Sequence, residues 1–291
     1  MKNMKRIFTL CAALCTMMTC FSQTDTTGTK NNPPAYDTIR IGGIVIVRKA
    51  GSKDKEISKD DEYKMRNRRT TKPSNLTTNW WIFDIGFSNY TDNTDYSSTG
   101  AQGYAPGSNK SWFALRNGKS RNVNVWFFMQ KLNITKHIVN LKYGLGLELN
   151  NYFYEEPIRY QKKPLNIPTH PQVYLDGTVG RNYKKDKLAA DYLTVPLMLN
   201  FNLTPNRHSG FGFSGGISAG YLLNSRNKTI TSDEGKEKLK RDFEIRKLKL
   251  SYIAELSMGP VRLYGSYAIK SLYERGLDMT PYNFGFRFSN W

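Results

Sequence analysis

"KYGLGLELNNYFYEE" (residues 142–156) sets Lys142, Gly144, Gly146, Glu148 and Asn150 at every second position, with Tyr143, Leu145, Leu147 and Leu149 between them. Reading backwards, Leu141 and Val139 join the apolar set and Asn140 joins the polar one. A period of two is that of a β-strand with one apolar and one polar face. The fold turns on which of these faces meets water.

Seven other segments repeat the pattern. In "WWIFDIGFSNY" (80–90), Trp81, Phe83, Ile85 and Phe87 oppose Asp84, Gly86 and Ser88; in "RNVNVWFFMQK" (121–131), Val123, Val125, Phe127 and Met129 oppose Asn122, Asn124 and Gln130. "YLTVPLMLNFNL" (192–203) and "FGFSGGISAGYLL" (211–223) set leucine and phenylalanine against threonine, asparagine, glycine and serine. "LKLSYIAELSM" (248–258), "VRLYGSYAIK" (261–270) and "YNFGFRF" (282–288) carry Lys249, Glu255, Arg262 and Arg287 on their polar sides. Each segment is about ten residues long, the length of a tilted strand that crosses a bilayer.

Alternation alone also fits a soluble antiparallel sheet. The connections separate the two readings. "NITKH", "TPNRHSG" and "MGP" are tight turns, whereas residues 91–119, 155–187, 226–246 and 271–279 are long and polar. Short turns at one end and long loops at the other mark an outer-membrane barrel. Eight is an even number of strands and allows closure without an edge. The competing fold is an eight-stranded lipocalin-like barrel with its leucines inside. Its outer face would then be glycine, serine and asparagine with few lysines or glutamates, a poor water-facing surface. The leucine face is therefore expected to meet lipid, and Trp80, Trp81, Tyr90, Tyr152, Phe153, Tyr154, Tyr192 and Tyr282 are expected in interfacial aromatic girdles.

The 291 residues include 43 Lys and Arg against 24 Asp and Glu, a net charge of +19. Residues 1–22 read as a secretory signal: Lys2, Lys5 and Arg6 precede an apolar run that ends at "CFSQ". Cleavage before Gln23 removes Cys11, Cys15 and Cys20, the three cysteines of the chain, so no disulfide framework or thiolate chemistry remains. Loss of the three signal bases lowers +19 to +16. Lipid anchoring through Cys20 is the alternative, although Met17-Met18-Thr19 makes a poor lipobox.

"YLTVPLMLNF" resembles the Tyr-Leu-x-x-Pro-Leu strand of the PorT-like outer-membrane β-barrel family. "KYGLGLELNNY", "FGFSGGISAGYLL" and "PYNFGFRFSNW" sit where that family has strands, so the resemblance covers residues 79–291. It implies an eight-stranded barrel inserted by the barrel assembly machinery through an aromatic C-terminus, and one member is associated with a secretion system. Trp291 supplies the aromatic residue, off the parity of Tyr282, Phe284, Phe286 and Phe288.

Residues 23–78 form a periplasmic extension in this reading. "DTIRIGGIVIVRK" predicts a small hairpin turning at Gly42-Gly43. From Ala50 to Asn79 the chain is charged and poor in large apolar residues, the composition of a flexible linker. The extension is either a disordered tail or a docking segment for a periplasmic protein partner.

No catalytic, cofactor-binding or metal site is expected. "GFGFSG" (210–215) matches G-x-G-x-x-G, but its glycines alternate within a strand and no helix follows to hold phosphate. His137 and His208 fall in short turns and His170 in a long loop, without metal-ligand spacing. Some eight-stranded barrels modify lipid A with a histidine and a serine, yet "IPTHPQ" around His170 offers no serine.

Charge points elsewhere. An exported barrel makes nucleic acid a poor match for the positive charge. The basic loops, with Lys236, Lys238, Lys240 and Arg241 foremost, suit the phosphates of lipopolysaccharide; plain solvation is the bland alternative. Eight strands enclose a space that side chains just fill. The inward set of Asp84, Lys142, Glu148, Lys249, Glu255, Arg262 and Arg287 is thus expected to close the lumen as ion pairs, Arg287 with Asp84 and Arg262 with Glu255. The sequence predicts an all-β, eight-stranded outer-membrane barrel over 79–291, with a non-enzymatic structural or interaction role. A secretion accessory, a narrow transport channel and a lipid A-modifying enzyme are the alternatives.

Overall fold

The computed structural model describes residues 36–41, 44–49, 74–165, 167, 169–205 and 210–289. The expected signal segment, most of the charged linker, His208 and Trp291 lie outside them. The chain divides into two units, Met1–Thr70 and Thr71–Trp291. In the first, β1 (Tyr36–Ile41) and β2 (Ile44–Lys49) pair antiparallel, with Ile41 opposite Ile44.

The second unit begins with β3 (Leu76–Asp92), three residues earlier than the expected boundary at 79, because Leu76, Thr77 and Thr78 already pair with Leu132, Lys131 and Gln130. A short helix α1 (Thr99–Tyr104) and a 3-10 turn (Lys110–Phe113) follow, each capped by a side chain, Ser98 and Asn109. Next come β4 (Arg121–Thr135), β5 (Val139–Phe153), β6 (Ile158–Tyr160), β7 (Val173–Leu175) and β8 (Tyr183–Asn202). The chain ends through β9 (Phe211–Thr231), β10 (Gly235–Lys240), β11 (Leu248–Met258), β12 (Val261–Ala268) and β13 (Met279–Phe288).

Eight of these strands form a closed ring, β3-β4-β5-β8-β9-β11-β12-β13, every neighbour antiparallel. β13 returns to β3, with Arg287 opposite Asp84 and Phe284 opposite Phe87. Closure leaves no row of unpaired backbone groups facing outward, the condition for strands in hydrocarbon. The outward face is apolar: Phe83, Ile85, Leu197, Leu199, Phe213 and Ile217 are each 44–52 % exposed. A belt of that size on a soluble monomer would be an association surface. Lipid covers it here, and Lys142 and Glu148 point into the lumen, each 5 % exposed or less.

Two local irregularities change the expected faces. Trp81 adopts a left-handed backbone, φ 56°, and opposite it the β4–β5 register slips between Trp126 and Phe128. Below this point parity inverts, so Trp80 and Trp81 are both outside, while Met129, expected with the lipid-facing residues, is fully buried. The second irregularity is a slip between Asp191 and Tyr192 against β9.

The aromatic girdle is also smaller than expected. Tyr152, Tyr154 and Tyr192 are 1–2 % exposed and point inward, and Tyr90 turns in to donate to the Phe113 carbonyl. Tyr152 and Tyr154 keep the inward parity of Lys142 and Glu148. The long connections are not plain loops either: residues 183–187 continue β8, 226–231 continue β9, and 235–240 form β10 folded back onto β9.

Candidate functional site

Within the barrel, the expected inward charges come together in two groups. Asp84, completely buried, accepts from Nε and Nη2 of Arg287 at 2.7 Å each, from Trp126 Nε1 at 2.7 Å and from Asn124 at 3.0 Å. The remaining nitrogen of Arg287, Nη1, donates to Glu255 at 2.6 Å, and both Glu255 oxygens accept from Lys142 at 2.7 Å. The result is a continuous chain, Asp84–Arg287–Glu255–Lys142, of alternating sign. Such charges persist in a low-dielectric interior only when paired and hydrogen-bonded.

A second group stands nearer the long-loop end. Glu148 pairs with Lys249 and accepts from Asn283 at 3.0 Å and Asn150 at 3.1 Å. Asn122 extends the polar layer by donating to Asn124 and Asn150, both at 2.9 Å. Arg262, expected to pair with Glu255, interacts with it Coulombically. The tight β11–β12 hairpin sets Glu255 opposite Tyr264 and Arg262 opposite Ser257; Arg262 donates to the Ser289 hydroxyl.

Apolar groups fill the rest. The Arg287 guanidinium lies 5.5 Å from the Trp126 ring centroid, and a Cβ built on Gly146 would stand 2.6 Å from that ring. Gly146 is thus the space into which the indole folds. A cavity of about 30 Å³, lined among others by Asn124, Glu148, Tyr264 and Arg287, is left in the middle of the lumen. It holds about one or two waters.

Above the barrel the long connections build a second core, for which the sequence analysis had no counterpart. Tyr104, Phe113, Tyr154, Tyr160, Phe243 and Tyr273 pack there with Ile158, Val173 and Ile245. The hydroxyls of Tyr154, Tyr160 and Tyr273 form a triangle with sides of 2.8, 3.1 and 3.4 Å. Burial holds these phenols above their ordinary pKa, so they stay protonated donors.

Ion pairs tie the rim of this cap. Arg181 binds Asp176, Asp233 and Glu234 at 2.8 Å each, and Arg159 binds Glu234 and Glu237. Asp186 lies inside the cap with one oxygen accepting from Asn227 at 3.0 Å and the other without a partner. Burial pushes its carboxyl up to about 8.

Of the four bases expected on lipopolysaccharide, Lys236, Lys238 and Lys240 stand exposed on the outer face of β10. Arg241 turns the other way, donating to Gln172 and lying 5.2 Å over the Phe243 ring. His170 is exposed, its Nδ1 3.3 Å from the Thr169 hydroxyl. The "GFGFSG" segment runs from Gly210 into the start of β9, and among the described residues no helix begins beside it.

A family model described as "Outer membrane protein beta-barrel domain" matches residues 81–269, well over half of the chain. No curated protein matches it.

Proposed function

The chain belongs to the outer membrane protein beta-barrel domain family, and from that premise we propose that it serves the outer membrane as a non-enzymatic barrel. It would act through its cap and its N-terminal extension rather than through a pore. The observation that carries this reading is the occupied lumen, where paired charges, Trp126 and Met129 surround a cavity of about 30 Å³. A barrel without a solute path would offer its outer surfaces for work.

The short turns are assigned to the periplasm and the folded cap to the cell exterior, as outer-membrane barrels are built. Residues 1–22 would direct export and residues 23–78 would lie in the periplasm. Trp291 would present an aromatic end to the assembly machinery. A second reading, an accessory of a PorT-like secretion system, is supported by the resemblance of residues 192–201, which form the proline-bearing part of β8.

Photo-crosslinking from positions across 24–78 in the native envelope tests the proposal. A specific protein product supports interaction through the extension, and a secretion component as that product selects the second reading. No product from any position removes the extension from the function.

A further inference from the structure

Three strands at the long-loop end are in exact lateral register. β8 and β9 continue above the lipid-facing belt, and β10 pairs along the free side of β9. Lys187, Lys228 and Lys238 are directly opposite one another, one from each strand. Next to this row lie Ala189, Arg226 and Lys240 on the side toward the barrel, and Lys185, Ile230 and Lys236 on the side away from it. The alternate positions, such as Asp186, Asn227, Thr229 and Leu239, turn into the cap, and eight of the nine residues in the three rows are partly or fully exposed, Ala189 alone being buried. Seven of the nine are basic, and directly opposite neighbours in a sheet stand about 5 Å apart.

Like charges directly opposite one another destabilise a sheet, and this face does little to neutralise itself. Asp191 pairs with Arg226. Among the described residues no carboxylate forms an ion pair with Lys185, Lys187, Lys228, Lys236, Lys238 or Lys240. Lys187 leans on Asn151, and Lys185 and Lys187 lie 5.3 and 5.4 Å over the Phe153 ring. Desolvation and the neighbouring Lys185, Arg226 and Lys228 lower Lys187 to about 8; Lys228 is lowered as well. The contrast with the cap rim is internal: there, Arg159 and Arg181 are matched by four acids.

The position of the array names its occupant. β8 and β9 carry Val195, Tyr221 and Leu223 on the lipid-facing belt below. Arg226 stands three residues above Leu223, about 10 Å along the strand. That is the level of headgroups in the leaflet around the long-loop end.

We propose that the outer face of β8, β9 and β10 is a binding site for the phosphate groups of an anionic glycolipid of lipopolysaccharide type in the surrounding leaflet. The rows of Lys187 and Arg226 take phosphates nearest the acyl chains, and Lys185 and Lys236 take those further out. Its six lysines remain without carboxylate partners because the lipid supplies the anions. This rests on the reading that the long-loop end faces the outer leaflet, but binding by the purified protein does not depend on orientation in the cell.

The test is titration of the detergent-purified full chain with lipopolysaccharide. The variant is Lys187→Gln, Lys228→Gln and Lys238→Gln together; the control makes the same charge change at exposed Lys110, Lys119 and Lys247. The middle-row variant is expected to bind roughly tenfold to a hundredfold more weakly, with the difference shrinking as salt rises. The control stays near wild type, and dephosphorylated glycolipid binds wild type as weakly as the intact lipid binds the variant. Without glycolipid the variant should melt above wild type, because repulsion is relieved; adding the lipid should raise the melting temperature of wild type only. Equal binding by the middle-row variant, an equal loss in the control, or tight binding of dephosphorylated glycolipid would each overturn the site.

Discussion

Arg287 and Asp84 stand directly opposite each other across the β13–β3 seam, joined by two hydrogen bonds of 2.7 Å. The pair therefore closes the barrel and fills it at the same point. Asp84→Ala leaves a buried guanidinium with one carboxylate instead of two and should cost about 3–5 kcal/mol of stability. Arg287→Ala should cost more, since it strips both Asp84 and Glu255. Replacing both residues should recover part of the loss, because Glu255 keeps Lys142. Denaturant unfolding in detergent micelles measures the cycle; strictly additive losses would show that the two residues do not act together.

Gly146 supplies a second stability test. Gly146→Val puts branched carbons where the Trp126 ring lies, whereas Gly215→Val places them in open space on the outer face. The first should reduce the heat-modifiable, folded band on detergent gels, and the second should leave it unchanged. Equal behaviour of the two variants would mean that the indole does not need that gap.

Much of this architecture is legible in the sequence, because period-two patterning survives wherever the strand is regular. Lys142, Glu148, Lys249, Glu255 and Arg287 are inward for that reason. The errors sit where regularity fails. Met129 follows the Trp126/Phe128 slip, and no local residue signals that an insertion in the register occurs there. Tyr152 and Tyr154 were legible by parity alone, but their aromatic character suggests a girdle unless the cap above them is known. The cap itself is a meeting of Tyr104, Tyr160, Phe243 and Tyr273 from four distant connections, and only the closed ring brings those together. The basic array was half visible: Lys236, Lys238 and Lys240 alternate within one segment, but their row partners Lys228 and Lys187 depend on register between strands.

Folded connections narrow where proteases can cut intact cells. Residues 226–231 and 235–240 are held in strands, whereas Leu165 and Val179 are 65 % and 98 % exposed. Surface proteolysis should cleave near 163–170 and 177–180 first and spare residues 24–78 until the outer membrane is opened. Early cleavage within 24–78 would invert the assigned topology.

Asp186 makes the cap sensitive to pH. Its folded pKa of about 8 lies above an ordinary carboxyl value of about 3.9. Between these values the unfolded cap releases the proton and the folded cap retains it, so stability falls as pH rises through this window and levels off above it. The slope approaches about 1.4 kcal/mol per pH unit at most. Asp186→Asn keeps an acceptor for Asn227 and removes the titration. The advantage of this variant over wild type, read as resistance of the cap to limited proteolysis, should widen from pH 5 to pH 8; a constant difference would place the carboxyl outside the buried environment.

The sealed lumen is tested most directly by planar-bilayer recording of the purified full-length protein. The Asp84–Arg287–Glu255–Lys142 chain crosses the lumen beside a cavity of about 30 Å³, so the lumen is expected to be sealed. No steady conductance step should appear at moderate voltage in wild type. A stable, reproducible open channel in the wild-type protein would contradict the sealed barrel and return transport as its function.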